Sequence, residues 1–381
     1  MKICMVVPYD LAEEGGVKRH AMQLAATLRT LGDEVDVIGP YSGRGPGLPE
    51  HTYGFPGVIN IPANGSDNYL GIFVRPWRVW RHMKKKKYDV LHVHEPLQPS
   101  INYYALWTVG RQAARVGTFH GFMEVESTKL RLARKFWGSI AFPSYDRGIA
   151  VSPAAEEYAR VAFKKQLAII PNGIRPELYR AGGPPTKGPL KLLFVGHWRD
   201  SRKGLPVLLD ACKQLQARGV QFTLDIVGEG SQQARVELPG LTYHGPINGE
   251  GKLAEMYAAC DVFVAPSLGG ESFGIVLLEA MAAARPIVCS DIAGYRFAVG
   301  EGPGSGARLV APGDAAGLVR EIEALATAPE LRAEMGAANH KRVRQFGWDH
   351  LVAQVREQYV AALAQRGRTV DGAENSTVAA V

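Results

Sequence analysis

Short, nearly continuous apolar runs alternate along this chain with longer segments whose apolar residues recur every three or four positions, and this alternation occurs twice. The first series begins with a buried strand over 2–7. Gly15 and Gly16 then open a helix in which Val17, Met22, Leu24, Ala25, Leu28 and Leu31 have helical spacing, and a strand over 34–39 completes the unit. Residues 40–68 are rich in Gly, Pro, Asn and Ser and read as loops around a short strand at 58–61. Further strands are predicted at 89–94, 116–119, 148–152 and 167–170. A stretch rich in Pro and Gly, 171–189, reads as a linker. The second series runs through strand 191–196, helix 205–218, strand 222–228, helix 252–260, strand 261–266, helix 273–284 and strand 287–289. Helices at 315–328, 330–346 and 348–366 follow, and the small and polar residues 367–381 read as a disordered tail.

Strands alternating with helices belong to the α/β class with parallel sheets. The pattern predicts two Rossmann-like doubly wound domains, 1–170 and 190–347, with a ligand crevice between them. A length of 381 residues suits two domains, and 46% apolar residues with 43 Gly and 24 Pro are ordinary for this class. Cys4, Cys212, Cys260 and Cys289 lie far apart, which predicts a reducing compartment with neither disulfides nor a zinc site. The first apolar run is too short for a signal peptide and no stretch is long enough to span a bilayer, so a cytoplasmic location is expected.

Charge changes the picture at one place. The net charge is +7, and Arg75, Arg78, Arg81, Lys84, Lys85, Lys86 and Lys87 fall within 75–87 with no acid among them. Trp77, Val79, Trp80 and Met83 lie between these cations. Indole rings beside a cationic cluster suit a helix lying on an anionic membrane. The same residues also suit a solvated basic helix with its tryptophans packed on the sheet. A second basic and aromatic stretch, 129–137, could extend such a surface. Nucleic-acid binding is the poorer reading, because no further basic surface or reader motif accompanies these residues.

Candidate chemistry gathers at strand ends. In 265–291, a glycine-rich loop leads into a helix apolar on nearly every side, interrupted by Glu271 and Glu279. A buried carboxylate needs hydrogen bonds, which either ligand hydroxyls or a structural Arg would supply. The loop 196–204, GHWRDSRKG, places Arg199, Arg202 and Lys203 after a strand and before a helix, suited to an anion such as diphosphate. Gly16 lies at a helix N-terminus, which favours anions. The turn 228–230, GEG, suits a base or ribose, and His120 follows a strand that points into the crevice. There is no Asp-x-Asp triplet, Walker-type loop, G-x-S-x-G elbow or zinc-spaced cluster. Diphosphate charge would then be met by Arg, Lys and helix N-termini, with no metal.

These residues carry a resemblance. The segment ESFGIVLLEAMAAARPIVCSD resembles the carboxylate motif of retaining glycosyltransferases of family 4, whose fold is GT-B. Gly15-Gly16-Val17, His94-Glu95-Pro96, Thr118-Phe119-His120, Pro171-Asn172-Gly173 and Arg202-Lys203-Gly204 recur in that family in the same order. Pro8-Tyr9, Asn64-Gly65-Ser66, the basic helix before Asp89-Val90-Leu91-His92, and Leu268-Gly269-Gly270-Glu271-Ser272 are similar to the actinobacterial phosphatidylinositol mannosyltransferases within it.

The resemblance implies that Glu279 bonds the ribose, Glu271 with Ser272, Phe273 and Gly274 the transferred sugar, Lys203 and Gly16 the diphosphate, and His120 a sugar hydroxyl. Tyr9, Asn64 and Ser66 would line the acceptor pocket, and 348–366 would cross back onto the first domain. Two departures stand out: His197 occupies the place of an Arg that touches diphosphate, with Arg199 two residues on, and Ala284 replaces a usual glycine. The expectation is a metal-independent, retaining hexosyltransferase without a cofactor, at the inner face of the cell membrane, moving mannose from GDP-mannose to a lipid such as phosphatidylinositol. A UDP-sugar donor with diacylglycerol or a soluble sugar as acceptor is the first alternative. A non-catalytic nucleotide-sugar or membrane-surface binding protein is the second.

Overall fold

The computed structural model describes residues 1–368 apart from 14, 45–46, 62–68, 99, 123–127, 184–187, 231–234, 248–249 and 303. Asn64, Ser66 and most of the expected tail lie outside the described residues. Two parallel sheets dominate the rest. The first contains β1 (Lys2–Val6), β2 (Glu34–Pro40), β3 (Thr52–Phe55), β6 (Val90–His94), β7 (Ala114–Phe119), β8 (Arg147–Ala150) and β9 (Leu167–Ile169) in the order β3-β2-β1-β6-β7-β8-β9. A small antiparallel pair, β4 (Ile59–Asn60) with β5 (Tyr69–Leu70), lies in the connection after β3. The second sheet contains β10 (Leu190–Val195), β11 (Phe222–Val227), β12 (Leu241–Gly245), β13 (Val262–Ala265), β14 (Ile287–Ser290) and β15 (Ala307–Val310) in the order β12-β11-β10-β13-β14-β15. The expected pair of Rossmann-like sheets is therefore present.

Each sheet reverses its winding direction once, between β1 and β6 in the first and between β10 and β13 in the second. Such switch points leave a crevice beyond the carboxyl ends of the strands. Helices cover the faces: α1 (Gly16–Thr30), α2 (Pro76–Lys86), α3 (Ile101–Thr108), α4 (Thr128–Ala141) and α5 (Pro153–Arg160) in the first half, and α6 (Leu205–Ala217), α7 (Glu250–Ala259), α8 (Ile275–Ala282), α9 (Ala293–Val299), α10 (Ala315–Ala326) and α11 (Pro329–Val343) in the second. The last helix, α12 (Trp348–Ala364), belongs to the first sheet's core: Leu351, Val355 and Tyr359 pack with Ile3, Met5 and Leu24. Arg356 pairs with Asp33, and Arg366 just beyond the helix pairs with Asp146.

Several elements differ from the periodicity reading. Thr52–Phe55 adds an edge strand where loops were expected, and α3, α5, α9, β12 and β15 were not anticipated. The three helices have only seven or eight residues, too few turns for a helical period to stand out. The α5 start did carry a local signal: the Ser152 hydroxyl accepts from Ala155 N at 3.0 Å, an N-cap followed by Pro. All four cysteines are buried and free. Among the described residues no helix is long and apolar enough to cross a membrane.

Candidate active site

The second half's contribution is built from two loops at its switch point. After β10, Asp200 accepts from Arg202 N and holds the Arg202 guanidinium through Nε at 3.0 Å and Nη2 at 2.6 Å. Arg202 is thereby a scaffold for the turn. Gly204 follows at φ 72, and a β-carbon there would lie 1.8 Å from the Pro266 carbonyl oxygen, so the turn seats directly on the second loop. This seating brings Lys203 Nζ onto Glu271 Oε1. The second loop, 267–274, is braced from behind by α9: Gly294 touches the backbone of Glu271 and Ser272, and Ser267 Oγ meets Tyr295 OH at 2.7 Å. His197 and Arg199 are both half-exposed and lie 3.9 Å from the Glu229 carboxylate in the GEG turn.

The first half presents the N-terminus of α1 and the ends of β1, β6 and β7. His120 is buried after β7, with its backbone N–H donating to Glu95 and its Nε2 3.1 Å from His94 Nδ1. His20 stands edge-on to His120 at 4.7 Å, and His92 bonds Thr118 at 2.6 Å and Tyr359 at 2.7 Å. Burial removes water from all four rings and drives their pKa values down, to about 3 for His92 and His120. They are neutral imidazoles at physiological pH. Ring nitrogens of His20, His94 and His120 lie within 4.8 Å of one another, a donor set with the right chemistry for a metal ion, although His94 and His120 already bond each other. Tyr9 lies beside Glu95, Tyr158 and Gln98, and burial holds its hydroxyl in the protonated form.

Across the cleft, Arg19 Nη1 from the first turn of α1 reaches Glu279 Oε1 in α8, while Tyr257 OH donates to Oε2 at 2.8 Å. Burial and the Glu279 charge push the Tyr257 hydroxyl pKa up, keeping it a donor. Ser272 Oγ bonds the His120 carbonyl, and the Gly16 backbone abuts Ile275 at the start of α8. The structure thus gathers Gly16, His120, Lys203, Glu271, Ser272 and Glu279 in one cleft, and puts His197 and Arg199 at its rim. Sequence reasoning did not single out Arg19, His20 or Tyr257. Arg19 sits one turn after the glycine pair, and that position was the available signal.

On the outside of the first half, α2 buries Val79 and Met83, which are one turn apart, and turns Trp77 and Trp80 outward at 53% and 47% exposure. The tryptophans are not packed on the sheet. Lys84 lies over the Trp80 ring at 4.9 Å and Arg75 over Trp77 at 5.4 Å. Lys86 alone among the cations of this stretch is directed inward, to Asp36 at 3.2 Å and Tyr53 OH at 3.1 Å. Phe73, 68% exposed, precedes the helix, and Leu132, Phe136 and Ile140 form an exposed row on α4.

Two Rossmann-like halves facing each other at their switch points, with a lysine, two carboxylates and a helix N-terminus between them, define the class: GT-B glycosyltransferases, which take nucleotide-sugar donors. Residues 14–178 match the family model Glycosyltransferase Family 4, and residues 189–328 match Glycosyl transferases group 1. The phosphatidyl-myo-inositol mannosyltransferase of Mycobacterium leprae is 35% identical over 372 residues, covering 94% of this chain and 96% of that protein. Its counterpart in Mycolicibacterium smegmatis is 35% identical over 375 residues, covering 94% and 93%. Among solved structures, the sucrose-phosphate synthase of Thermosynechococcus elongatus is similar with a TM-score of 0.73 at 22% identity, covering 96% of this chain and 99% of that one. The chain belongs to glycosyltransferase family 4 and is a hexosyltransferase, as the resemblance implied.

Proposed function

We propose that this enzyme transfers mannose from GDP-mannose to the inositol of phosphatidylinositol at the inner face of the cell membrane, retaining the anomeric configuration without a metal ion. The observation that carries the acceptor class is the outward face of α2. Trp77, Trp80 and Phe73 together leave a large aromatic surface in water beside Arg78, Arg81, Lys84 and Lys85, the composition of a helix that lies in an anionic interface. The full-length similarity to phosphatidyl-myo-inositol mannosyltransferases supports the same acceptor.

In the cleft, hydrogen-bond capacity supports the donor roles. A carboxylate has about four lone-pair sites, and Arg19 and Tyr257 occupy one on each oxygen of Glu279. The remaining sites suit two ribose hydroxyls. Lys203 uses one N–H on Glu271, which leaves two for diphosphate, with the Gly16 end of α1 and Arg199 completing the anion site. Buried, neutral His120 suits a hydrogen bond to a sugar hydroxyl. The departing diphosphate accepts the acceptor's proton on the same face, and Lys203 stabilises its charge. On the family resemblance Tyr9, Asn64 and Ser66 are assigned to acceptor binding.

The test is transfer of labelled hexose from GDP-mannose and from UDP-glucose to vesicles containing phosphatidylinositol, diacylglycerol or neither, with and without a chelator. Chelator-resistant α-mannosylation of phosphatidylinositol, lost when Trp77 and Trp80 are both replaced by Ala, is the expected result. Equal transfer to phosphatidylinositol vesicles by that double variant and the wild type would remove the membrane role.

A further inference from the structure

A cavity of about 540 Å³ opens at the amino ends of β13 and β14, the edge of the second sheet opposite the cleft. Arg285, Arg332, Lys341 and Arg344 line it together with one carboxylate, Asp261. Arg285 and Arg332 are only 6% and 5% exposed. Guanidinium groups so deeply buried are normally neutralised by carboxylates. Here their hydrogen bonds go to main-chain carbonyls alone: Arg285 to Ala258 and Gly183, and Arg332 to Leu325 and Ala326. The Nε of each lacks a hydrogen-bond partner, and none of the four cations has an ion pair among the described residues. Helix C-termini supply part of the compensation, through the last-turn carbonyls of α10 to Arg332 and of α7 to Arg285 and through the dipole of α11 at Lys341, but no carboxylate pairs with any of the four among the described residues.

We infer that this cavity binds a phosphate monoester carried on a small polar body, such as a sugar phosphate, at a site separate from the donor cleft. The volume falls within the range of about 300–1,000 Å³ usual for small-molecule sites, larger than a lone anion requires. The site is also tied to the connection between the halves. Gly182 N donates to Ala283 O at 2.9 Å, and the Arg285 guanidinium occupies the space where a β-carbon on Gly182 would lie. A dianion engaging Arg285 thus acts on 181–183, where the linker lies against the second half.

The experiment is titration calorimetry on the full chain, with a saturating nucleoside diphosphate to fill the cleft. Glucose 6-phosphate, glucose and inorganic phosphate are the probes, and flotation with phosphatidic acid vesicles is a separate arm. Glucose 6-phosphate is expected to bind at one site, glucose not at all, and K341Q/R344Q to weaken binding at least tenfold with an unchanged melting temperature. Slower hydrogen exchange at 181–183 on binding would support the coupling by a readout independent of the variant. Flotation that K341Q/R344Q abolishes would assign the monoester to a lipid headgroup, whereas binding only in free solution would assign it to a metabolite. Absence of binding in both arms, or equal binding by wild type and variant, would overturn the site.

Discussion

The Arg19–Glu279 pair spans 260 residues of sequence and joins the two halves through one carboxylate that is almost wholly buried. Replacing Arg19 by Met keeps the aliphatic stem and removes the guanidinium, so Glu279 retains its charge with only the Tyr257 hydroxyl to bond it. Breaking a buried ion pair costs about 3–5 kcal/mol; the Arg19 side chain keeps 25% exposure, which places the loss near the lower figure. For a unit of this size, about 3 kcal/mol corresponds to a melting-point drop of about 6–12 °C. Thermal and urea unfolding of Arg19→Met, Glu279→Gln and the double variant make a complete cycle. Strong coupling is expected, with the double variant losing little more than either single one. Nucleotide affinity separates two roles of the same carboxylate: Glu279→Gln should weaken GDP binding at least about tenfold, the equivalent of one charge-assisted hydrogen bond, while Arg19→Met should leave it within a few fold. Losses that add, or an Arg19→Met variant as stable as the wild type, would refute the pair as a tie between the halves.

Stability should fall with acid below pH 6.5. His20, His92, His94 and His120 stay unprotonated in the folded state because burial depresses their pKa values, whereas the unfolded chain takes up their protons near 6.5. The unfolded state then binds more protons, and the loss approaches about 1.4 kcal/mol per pH unit per ring down to about pH 3; a flat urea-unfolding profile between pH 6.5 and 5 would contradict this. Gly204→Ala should destabilise by at least about 2 kcal/mol, through its positive φ and its contact with Pro266, and should lower turnover more than its stability loss explains by displacing Lys203. Ala284 sits at φ 55, the left-handed region that glycine adopts freely, so Ala284→Gly should stabilise by about 0.5–1 kcal/mol in the same unfolding assay.

How much was legible in the sequence follows from where each interaction is encoded. The loop-helix unit around Glu271 and Glu279 is local, and its glycines, apolar helix and two acids stand in one continuous stretch. Lys203, Gly16 and His120 could be found because strand ends in a doubly wound sheet face one crevice. Arg19 and Tyr257 could not be found in this way, since their roles exist only after the halves meet. On α2, the apolar pattern contained four residues but did not say which faced inward; the structure buries Val79 and Met83 and leaves both tryptophans outside. Amphipathic rings satisfy either environment, so periodicity alone could not decide. Departure from the family Arg at His197 reads more clearly in three dimensions, because His197 and Arg199 flank the same carboxylate, Glu229, at equal distance.

The chain passes between the halves twice, and the two passages lie side by side. Ile174 N donates to Phe346 O at 2.9 Å and Trp348 N to Ile174 O at 3.2 Å, making a short ladder. Gly173 is packed on the Trp348 ring, with room for no side chain, and Trp348 Nε1 anchors to Gln23 in α1 at 3.1 Å. A change of angle between two bodies joined at one ladder turns about that ladder. Beyond it α5 packs against α9 and Ile275 against Gly16, and two side-chain hydrogen bonds cross the cleft, Arg19 to Glu279 and Ser272 to the His120 carbonyl. The ladder is set by the packing of Gly173 on Trp348, whereas the hydrogen bonds across the cleft are exchangeable and lose less when they are traded for equivalent bonds to another partner. The division has a consequence for Gly173→Ala. It should disturb the ladder and shift the angle between the halves, which would alter the small-angle scattering profile, whereas Arg19→Met removes a tie and leaves the axis in place.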